Sequence, residues 1–386
     1  MNTVVTVKDF ENHFHEKPEY KVSCGGRFEI LGNHTDHNHG LCCAATCDLQ
    51  IYGYLKKRDD DYIEICSVGY LPCIASIKDL TVANEDFASS KGLVKGVAKY
   101  LIDHGYDVGG FILYTDSSIF PGAGVSSSAA FESLVAQIFN ILYNQGRIEK
   151  ITLAKAGQYA ENVYFGKKSG LLDQIGTGYG NISYIDFKNI ENPKVENIAF
   201  PFDDLHFVIV NTGGSHAELN DLYSSIPMDM WNAAKKVGQN FLRDSSKEEI
   251  QDCSSLTEME LNRALHFYGE NQRVIEMEGA LLNKNKKQFL ALINASRKSS
   301  TELLKNMMVG EQYEGSPLQA CDRAMKLMDE SGACKINGGG FAGSIICVVP
   351  DEKLGLFIKE MGKYYGENNV KEVHINKNGP LVEKIN

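Results

Sequence analysis

Residues 118–131 read SIFPGAGVSSSAAF. A strand pattern at 110–116 precedes them and an amphipathic helix pattern at 127–143 follows, so the segment is a Gly-rich strand-to-helix turn. Gly122 and Gly124, with Ala123 between them and Val125 after, remove side chains so that backbone N–H groups can approach an anion. Ser126, Ser127 and Ser128 fall where the unpaired N–H groups of the first helical turn and the positive end of the helix dipole would meet it. The loop is a candidate phosphate cradle. It lacks the Lys that follows the last Gly of a Walker A loop, and a serine N-cap on an ordinary turn would leave the same pattern.

Outward from this turn, the N-terminal half alternates β-branched, aromatic-rich runs with helical spacing. Strands are expected at 20–24, 50–56, 62–67, 110–116 and 180–187, and helices at 91–104, 127–143 and 152–164. A polar stretch with two prolines near residue 200 then changes the texture. Beyond it come a strand at 205–211, helices at 227–243, 256–282, 285–308 and 316–331, a strand at 344–349, a helix at 352–364 and a strand at 370–376. This order suits a small antiparallel sheet with helices on one face. The class is α+β, with one domain at 1–200 and a second at 201–386.

Three further clusters concentrate chemistry. GGRFEILGNHTDHNHG, residues 25–40, carries Arg27, Glu29, Asn33, His34, Asp36, His37 and His39 between four glycines, a poor core but a dense set of hydrogen-bonding groups. A clamp for a polar ligand, a metal site through the histidines and a solvated loop all fit this composition, although the zinc reading lacks the usual ligand spacing. ACKINGGGFAG, residues 333–343, permits close backbone approach to a ligand or to another part of the chain. In ENVYFGKKSGLLDQ, residues 161–174, Glu161 and Asp173 stand in apolar company where a carboxylate needs a partner, and helix capping would also explain Asp173.

The chain of 386 residues is 43% apolar and 23% charged, enough for real cores and against a disordered or fibrous class. Its net charge of −11 supplies no basic footprint, so no nucleic acid and no anionic membrane is expected as a partner. The first twenty residues lack a signal-peptide core and no run approaches the length of a membrane span. Ten Cys lie scattered without C-x-x-C pairs, which reads as reduced, packed thiols in a cytoplasmic protein. A monomer is expected.

Taken together, these segments resemble the GHMP superfamily of small-molecule kinases, and within it the galactokinase family. The family's opening motif, G-R-x-N-x-I-G-E-H-T-D-Y-N, is followed without a gap from Gly26 to Asn38. Its second, P-x-G-x-G-L-S-S-S-A-A, is matched from Pro121 to Ala130 with one residue fewer before the second Gly and Val125 for Leu. Its third, G-G-G-F-G-G, is matched from Gly338 to Gly343 with Ala342 for one Gly. The resemblance implies a two-domain GHMP kinase fold, an N-terminal ribosomal-S5-like domain and a C-terminal ferredoxin-like domain, with the active site between them. It implies ATP-dependent phosphorylation of a sugar's anomeric hydroxyl, with ATP over Gly122–Ser128 and Mg2+ on Ser128 and Glu161. Arg27 and Asp173 take the catalytic positions. Asn33, His34, Asp36, Gly170 and Tyr223, the last seven residues after His216, take the sugar-binding ones. Two departures bear on the substrate. Asn33 replaces the family Glu that contacts the 6-hydroxyl of galactose, and Glu29 replaces an Asn. A neutral amide at 33 would remove the repulsion against a 6-carboxylate, so galacturonate stands beside galactose as a substrate. The remaining alternative in the family is a non-catalytic sensor of sugar and ATP.

Overall fold

The glycines at 25 and 26, where the pattern ends a strand at Cys24, lie inside one. In the computed structural model, which describes residues 5–213 and 219–385, β1 runs Tyr20–Leu31. A Cβ on Gly25 would stand 2.1 Å from the Cys47 carbonyl oxygen, and one on Gly26 2.5 Å from that of Val125. These glycines let neighbouring backbone press against the strand instead of turning it. None of residues 25–40 is exposed, so the solvated-loop alternative for that cluster fails.

Around β1 the first sheet takes the order β12-β1-β2-β5-β3-β4, with β6 and β7 attached to the other end of β2. Here β2 is Leu41–Lys57, β3 Tyr62–Ser67, β4 Cys73–Ser76, β5 Phe111–Ser117, β6 Ile182–Asp186, β7 Lys194–Ile198 and β12 Leu381–Lys384. The length of β2 lets Ile51–Lys57 pair with β5 while Leu41–Ala45 pairs with β6. Helices Ser90–Asp103, Ser127–Asn144 and Lys150–Tyr159 cover one face, burying Leu93, Val97, Leu134 and Phe139 against Leu55, Phe111 and Leu113.

The second sheet is antiparallel in the order β11-β8-β10-β9, with β8 Leu205–Asn211, β9 Ala333–Asn337, β10 Ser344–Pro350 and β11 Val370–Val373. Alternate residues of β8 and β10 serve two cores, which is why both strands read as continuous apolar runs. Val208, Val210, Ile345 and Cys347 face helices Pro317–Leu327 and Asp351–Tyr365. Phe207, Ile209, Ile346 and Val348 turn the other way, onto Phe28 and Ile30 of β1 and onto helices Glu258–Leu282 and Lys286–Ser299. The two sheets therefore share one core.

The last strand of the 201–386 half crosses to the first sheet. Leu381–Lys384 pairs with Tyr20–Ser23 and covers the edge of the first sheet. The helix expected at 227–243 is Asn220–Lys236, with Pro227 inside it; the missing proline N–H removes a single bond of the ladder and does not mark the start. Among the described residues no helix is long and apolar enough to cross a membrane. All ten Cys are free and nine are buried.

Candidate active site

Gly122 and Gly124 adopt φ of +77° and +70°, the left-handed region that favours glycine. Cβ atoms there would meet Asn211 Nδ2 and Ser344 Oγ of the second sheet, each at 2.3 Å. The loop carbonyls are held by protein donors: Ser344 Oγ donates to Ala123 O at 3.0 Å, Asn337 Nδ2 and Arg27 Nη1 to Gly124 O at 3.1 and 2.8 Å, and Arg27 N to Val125 O at 2.9 Å. The helix that follows begins without a side-chain cap. Ser126, at φ +55°, donates its hydroxyl to Asp173 Oδ2 at 2.5 Å instead. A serine-capped turn is thus excluded, and the first-turn N–H groups, those of Ser127 and Ser128 among them, keep no side-chain acceptor, as an anion seat requires.

Asp173 stands in the first turn of the Leu172–Gly178 helix. Its Oδ1 accepts from Arg27 Nε at 2.7 Å, and Arg27 Nη2 stands 2.7 Å from the same oxygen as an ion pair. Burial alone would raise its pKa, but the charges of Arg27 and Lys167 and the Ser126 hydroxyl outweigh this and hold it below the ordinary carboxylate value. Arg27, equally buried, is held charged by Asp173. The result is an ionised carboxylate with a guanidinium beside it at the foot of the anion seat. Capping does not account for such a residue.

Above this pair, Ser128 Oγ donates to Glu161 Oε1 at 3.0 Å, and Lys167 Nζ donates to the same oxygen at 2.8 Å. Glu161 sits in a π-helical turn, Ala160–Phe165, that ends the preceding helix. Its other oxygen accepts from Gln174 Nε2 at 3.1 Å, and that amide also donates to Glu132 Oε2 at 3.0 Å. Burial, then the charge on Glu161, push the Glu132 carboxyl well up. Ser128 and Glu161 offer two hard oxygens beside the anion seat, a donor set that suits Mg2+ shared with phosphate oxygens and water.

On the side expected to take the sugar, Arg27, Asn33, His34, Asp36, Gly170, Asp173 and Tyr223 line one cavity of ≈ 130 Å³. A larger one, ≈ 250 Å³, lies across the Leu172–Gly178 helix and contains none of the expected site residues. A Cβ on Gly170 would stand 2.3 Å from Asp36 Oδ2, and one on Gly339 1.5 Å from the Tyr223 hydroxyl, so both glycines make room for site residues. His34 Nε2 donates to Gly339 O at 2.9 Å, and its Nδ1 has no partner among the described residues. Asn33 is less free than expected. Its Nδ2 donates to Glu29 Oε1 at 3.1 Å and to Gly338 O at 2.7 Å, while its Oδ1 accepts from Asn306 Nδ2 at 2.8 Å. His216 lies outside the described residues. The imidazoles of the 34–39 loop join no group of ligand atoms close enough to share an ion among the described residues.

Sequence reasoning missed Lys167, Glu132, Gln174, Asn306, Asn337 and Lys335. All but Glu132 and Asn306 lay inside segments already singled out, Lys167 and Gln174 in 161–174 and Lys335 and Asn337 in 333–343. Glu132 and Asn306 carried no signal, since a polar residue inside a helical pattern normally faces solvent.

The phosphate loop, the carboxylate–guanidinium pair and the two sheets define a small-molecule kinase of the GHMP type, and residues 92–181 match the GHMP kinases N terminal domain. Residues 8–57 match the galactokinase galactose-binding signature. Galactokinase of Lactobacillus helveticus is 28% identical over 379 residues, 95% of this chain and 94% of that protein. That of Lactococcus lactis subsp. cremoris is 29% identical, over 91% and 88%. The solved structure of Lactococcus lactis galactokinase complexed with galactose superposes with a TM-score of 0.82 at 24% identity, covering 98% of each chain. Methanococcus jannaschii mevalonate kinase gives 0.64 at 16%, over 92% of this chain and 98% of that one. The chain thus carries the GHMP kinase N-terminal domain and the galactokinase galactose-binding signature, and is similar to galactokinases over more than nine-tenths of its length.

Proposed function

We propose that this chain transfers the γ-phosphoryl group of ATP to the anomeric hydroxyl of D-galactose, giving galactose 1-phosphate and ADP. The observation that carries the reading is Asp173, ionised by Arg27 and placed between the uncapped helix start and the sugar-side cavity. In this reading the backbone N–H groups of Gly122–Ser128 seat the phosphates of ATP, and Asp36, His34 and Tyr223 orient the sugar with Gly170 making room. Asp173 accepts the hydrogen bond of the reacting hydroxyl. Because Arg27 lowers its basicity, the proton moves to it as the new P–O bond forms and not before. Arg27 remains beside the transferring group as a fixed positive charge. Ser128 and Glu161 would hold Mg2+, which when bound neutralises phosphate charge, and Lys167, now on Glu161, would be released toward the same oxygens. We place the enzyme in the cytoplasm as a monomer.

The test is ADP release from ATP and Mg2+ with galactose, glucose, arabinose, galacturonate and N-acetylgalactosamine, in the wild type and in Asp173→Asn. Galactose should be turned over fastest. Asp173→Asn should lower kcat by ~10²–10⁴-fold, while galactose affinity by calorimetry changes by less than ~10-fold. Equal losses in binding and turnover would remove Asp173 from the proton-acceptor role.

A further inference from the structure

Arg27 and Glu29 are two residues apart on an unbroken stretch of β1, opposite Thr46 and Ala44, and so share one face of the strand. Both line the sugar-side cavity. Glu29 is 3% exposed and Lys335 0%. Glu29 Oε1 accepts from Lys335 Nζ at 2.7 Å and from Asn33 Nδ2 at 3.1 Å. Among the described residues the Oε2 atom has a single partner, Asn33 Nδ2 at 3.3 Å, a long contact for an N–H donor. Lys335 does not line the cavity, so a ligand meets the carboxylate first.

Asn33 has no proton left to give, because one Nδ2 hydrogen faces Glu29 and the other Gly338 O. Its carbonyl already takes Asn306. Each side chain keeps a lone pair next to the cavity, the Asn33 carbonyl one and the Glu29 carboxylate that of Oε2, but only the carboxylate brings a negative charge with it. The sequence departs from the motif it resembles at these same two positions, Glu for Asn at 29 and Asn for Glu at 33. Since the two side chains touch, the paired change shifts a negative charge across one hydrogen bond and does not delete it.

We propose that Glu29 is the specificity-determining carboxylate of the sugar pocket: it accepts a hydroxyl hydrogen bond from a neutral hexose and repels a sugar acid, with Asn33 and Lys335 as its positioning residues. This rests on the sugar-kinase reading. It also reverses the expectation drawn from Asn33 alone, because the repulsion against galacturonate is retained by Glu29.

The test uses the full chain with galactose and galacturonate, reading KM and kcat by ADP release and sugar affinity by calorimetry. Glu29→Gln should raise the KM for galactose by about 10–100-fold with kcat within about threefold, and raise the galacturonate-to-galactose ratio of kcat/KM at least about tenfold. The double exchange Glu29→Asn with Asn33→Glu should bring galactose back to within about fivefold of wild type, because it restores one carboxylate to the touching pair. If loss of Glu29 leaves Lys335 unpaired and the protein unfolded, Glu29→Gln with Lys335→Met carries the same readouts. A folded Glu29→Gln that keeps its galactose KM within about twofold and still rejects galacturonate would overturn the proposal. Absence of wild-type turnover on galactose would instead sink the kinase reading, and the calorimetric affinities would still judge Glu29.

Discussion

Gly170 shows how one absent methyl group shapes the pocket. A Cβ at this position would fall on the tip of the Asp36 carboxylate, which can swing away without disturbing backbone. Gly170→Ala should therefore raise the KM for galactose by roughly 10-fold through loss of a charge-assisted hydrogen bond, with unfolding free energy changed by less than about 1 kcal/mol. Denaturant titration beside kinetics would check this, and a large stability loss with an unchanged KM would contradict it. His34 is a residue-scale determinant of pH behaviour. Burial, then the neighbouring charge of His37, lower its pKa to about 3, and burial lowers that of His266 as well. In the unfolded chain both bind protons near pH 6.5, so the unfolded state takes up more protons below that value and stability falls as the pH drops from about 6.5 toward 3. Urea midpoints should decline between about pH 7 and about pH 5, with a ceiling near 1.4 kcal/mol per pH unit for each histidine. A shallower slope in His34→Gln would assign the share of that residue, and a flat profile in the wild type would refute the account.

At the scale of elements, the Glu258–Leu282 helix fixes the sugar-side loop from behind. It starts with a capping box between Thr257 and Glu260. Two turns later His266 Nε2 donates to Asn33 O at 3.0 Å, Glu270 Oε1 accepts from Gly32 N and from Ser296 Oγ at 3.0 and 2.7 Å, and Asn271 Oδ1 accepts from Leu41 N at 2.7 Å. Burial opposes the charge on Glu270, but Arg273, His266 and Lys335 pull its pKa down to about 2. Truncating Glu270 to Ala leaves Arg273 and the loop N–H groups unpaired and should cost about 3–5 kcal/mol, with a weaker galactose KM. Thr257→Ala removes the cap alone and should cost about 1 kcal/mol with KM unchanged. The two variants together separate the helix's stability from its hold on the loop; equal effects on KM would show that no such separation exists.

For the whole molecule, the decisive feature is the core shared by both sheets. Phe28 and Ile30 from β1 meet Phe207, Ile209, Ile346 and Val348 from the second sheet, and β12 returns the end of the chain to the edge of β1. We propose that 1–200 and 201–386 are halves in organisation, with the exchange of the last strand, and not independently stable units. Thermal unfolding should then be one transition, coincident by circular dichroism and by calorimetry. Saturating galactose at about 100 times its Kd should shift that single transition upward by about 2.7 kcal/mol of added stability. Two resolved transitions, only one of them moved by sugar, would show that the halves melt separately.

The sequence by itself determined the elements with a strong period and the segments where chemistry sits. The strands Tyr62–Ser67 and Leu205–Asn211 and the start of the Ser127–Asn144 helix stand where alternation and spacing put them, because burial of one face imposes the period locally. The residues expected around the sugar reached one cavity because their motifs each carry several polar groups in a few positions. What local pattern could not carry was anything whose cause lies far along the chain. The glycines of β1 are there because Cys47 and Val125 approach, the closing strand Leu381–Lys384 has meaning only beside Tyr20–Ser23, and Ser126 abandons its cap because Asp173 waits 2.5 Å away. Asn33 read alone looked like a lost charge. Only the fold, by setting Glu29 against it and Lys335 behind, decided that the charge had moved, since Coulomb and hydrogen-bond energies depend on distance in space and not on distance in sequence.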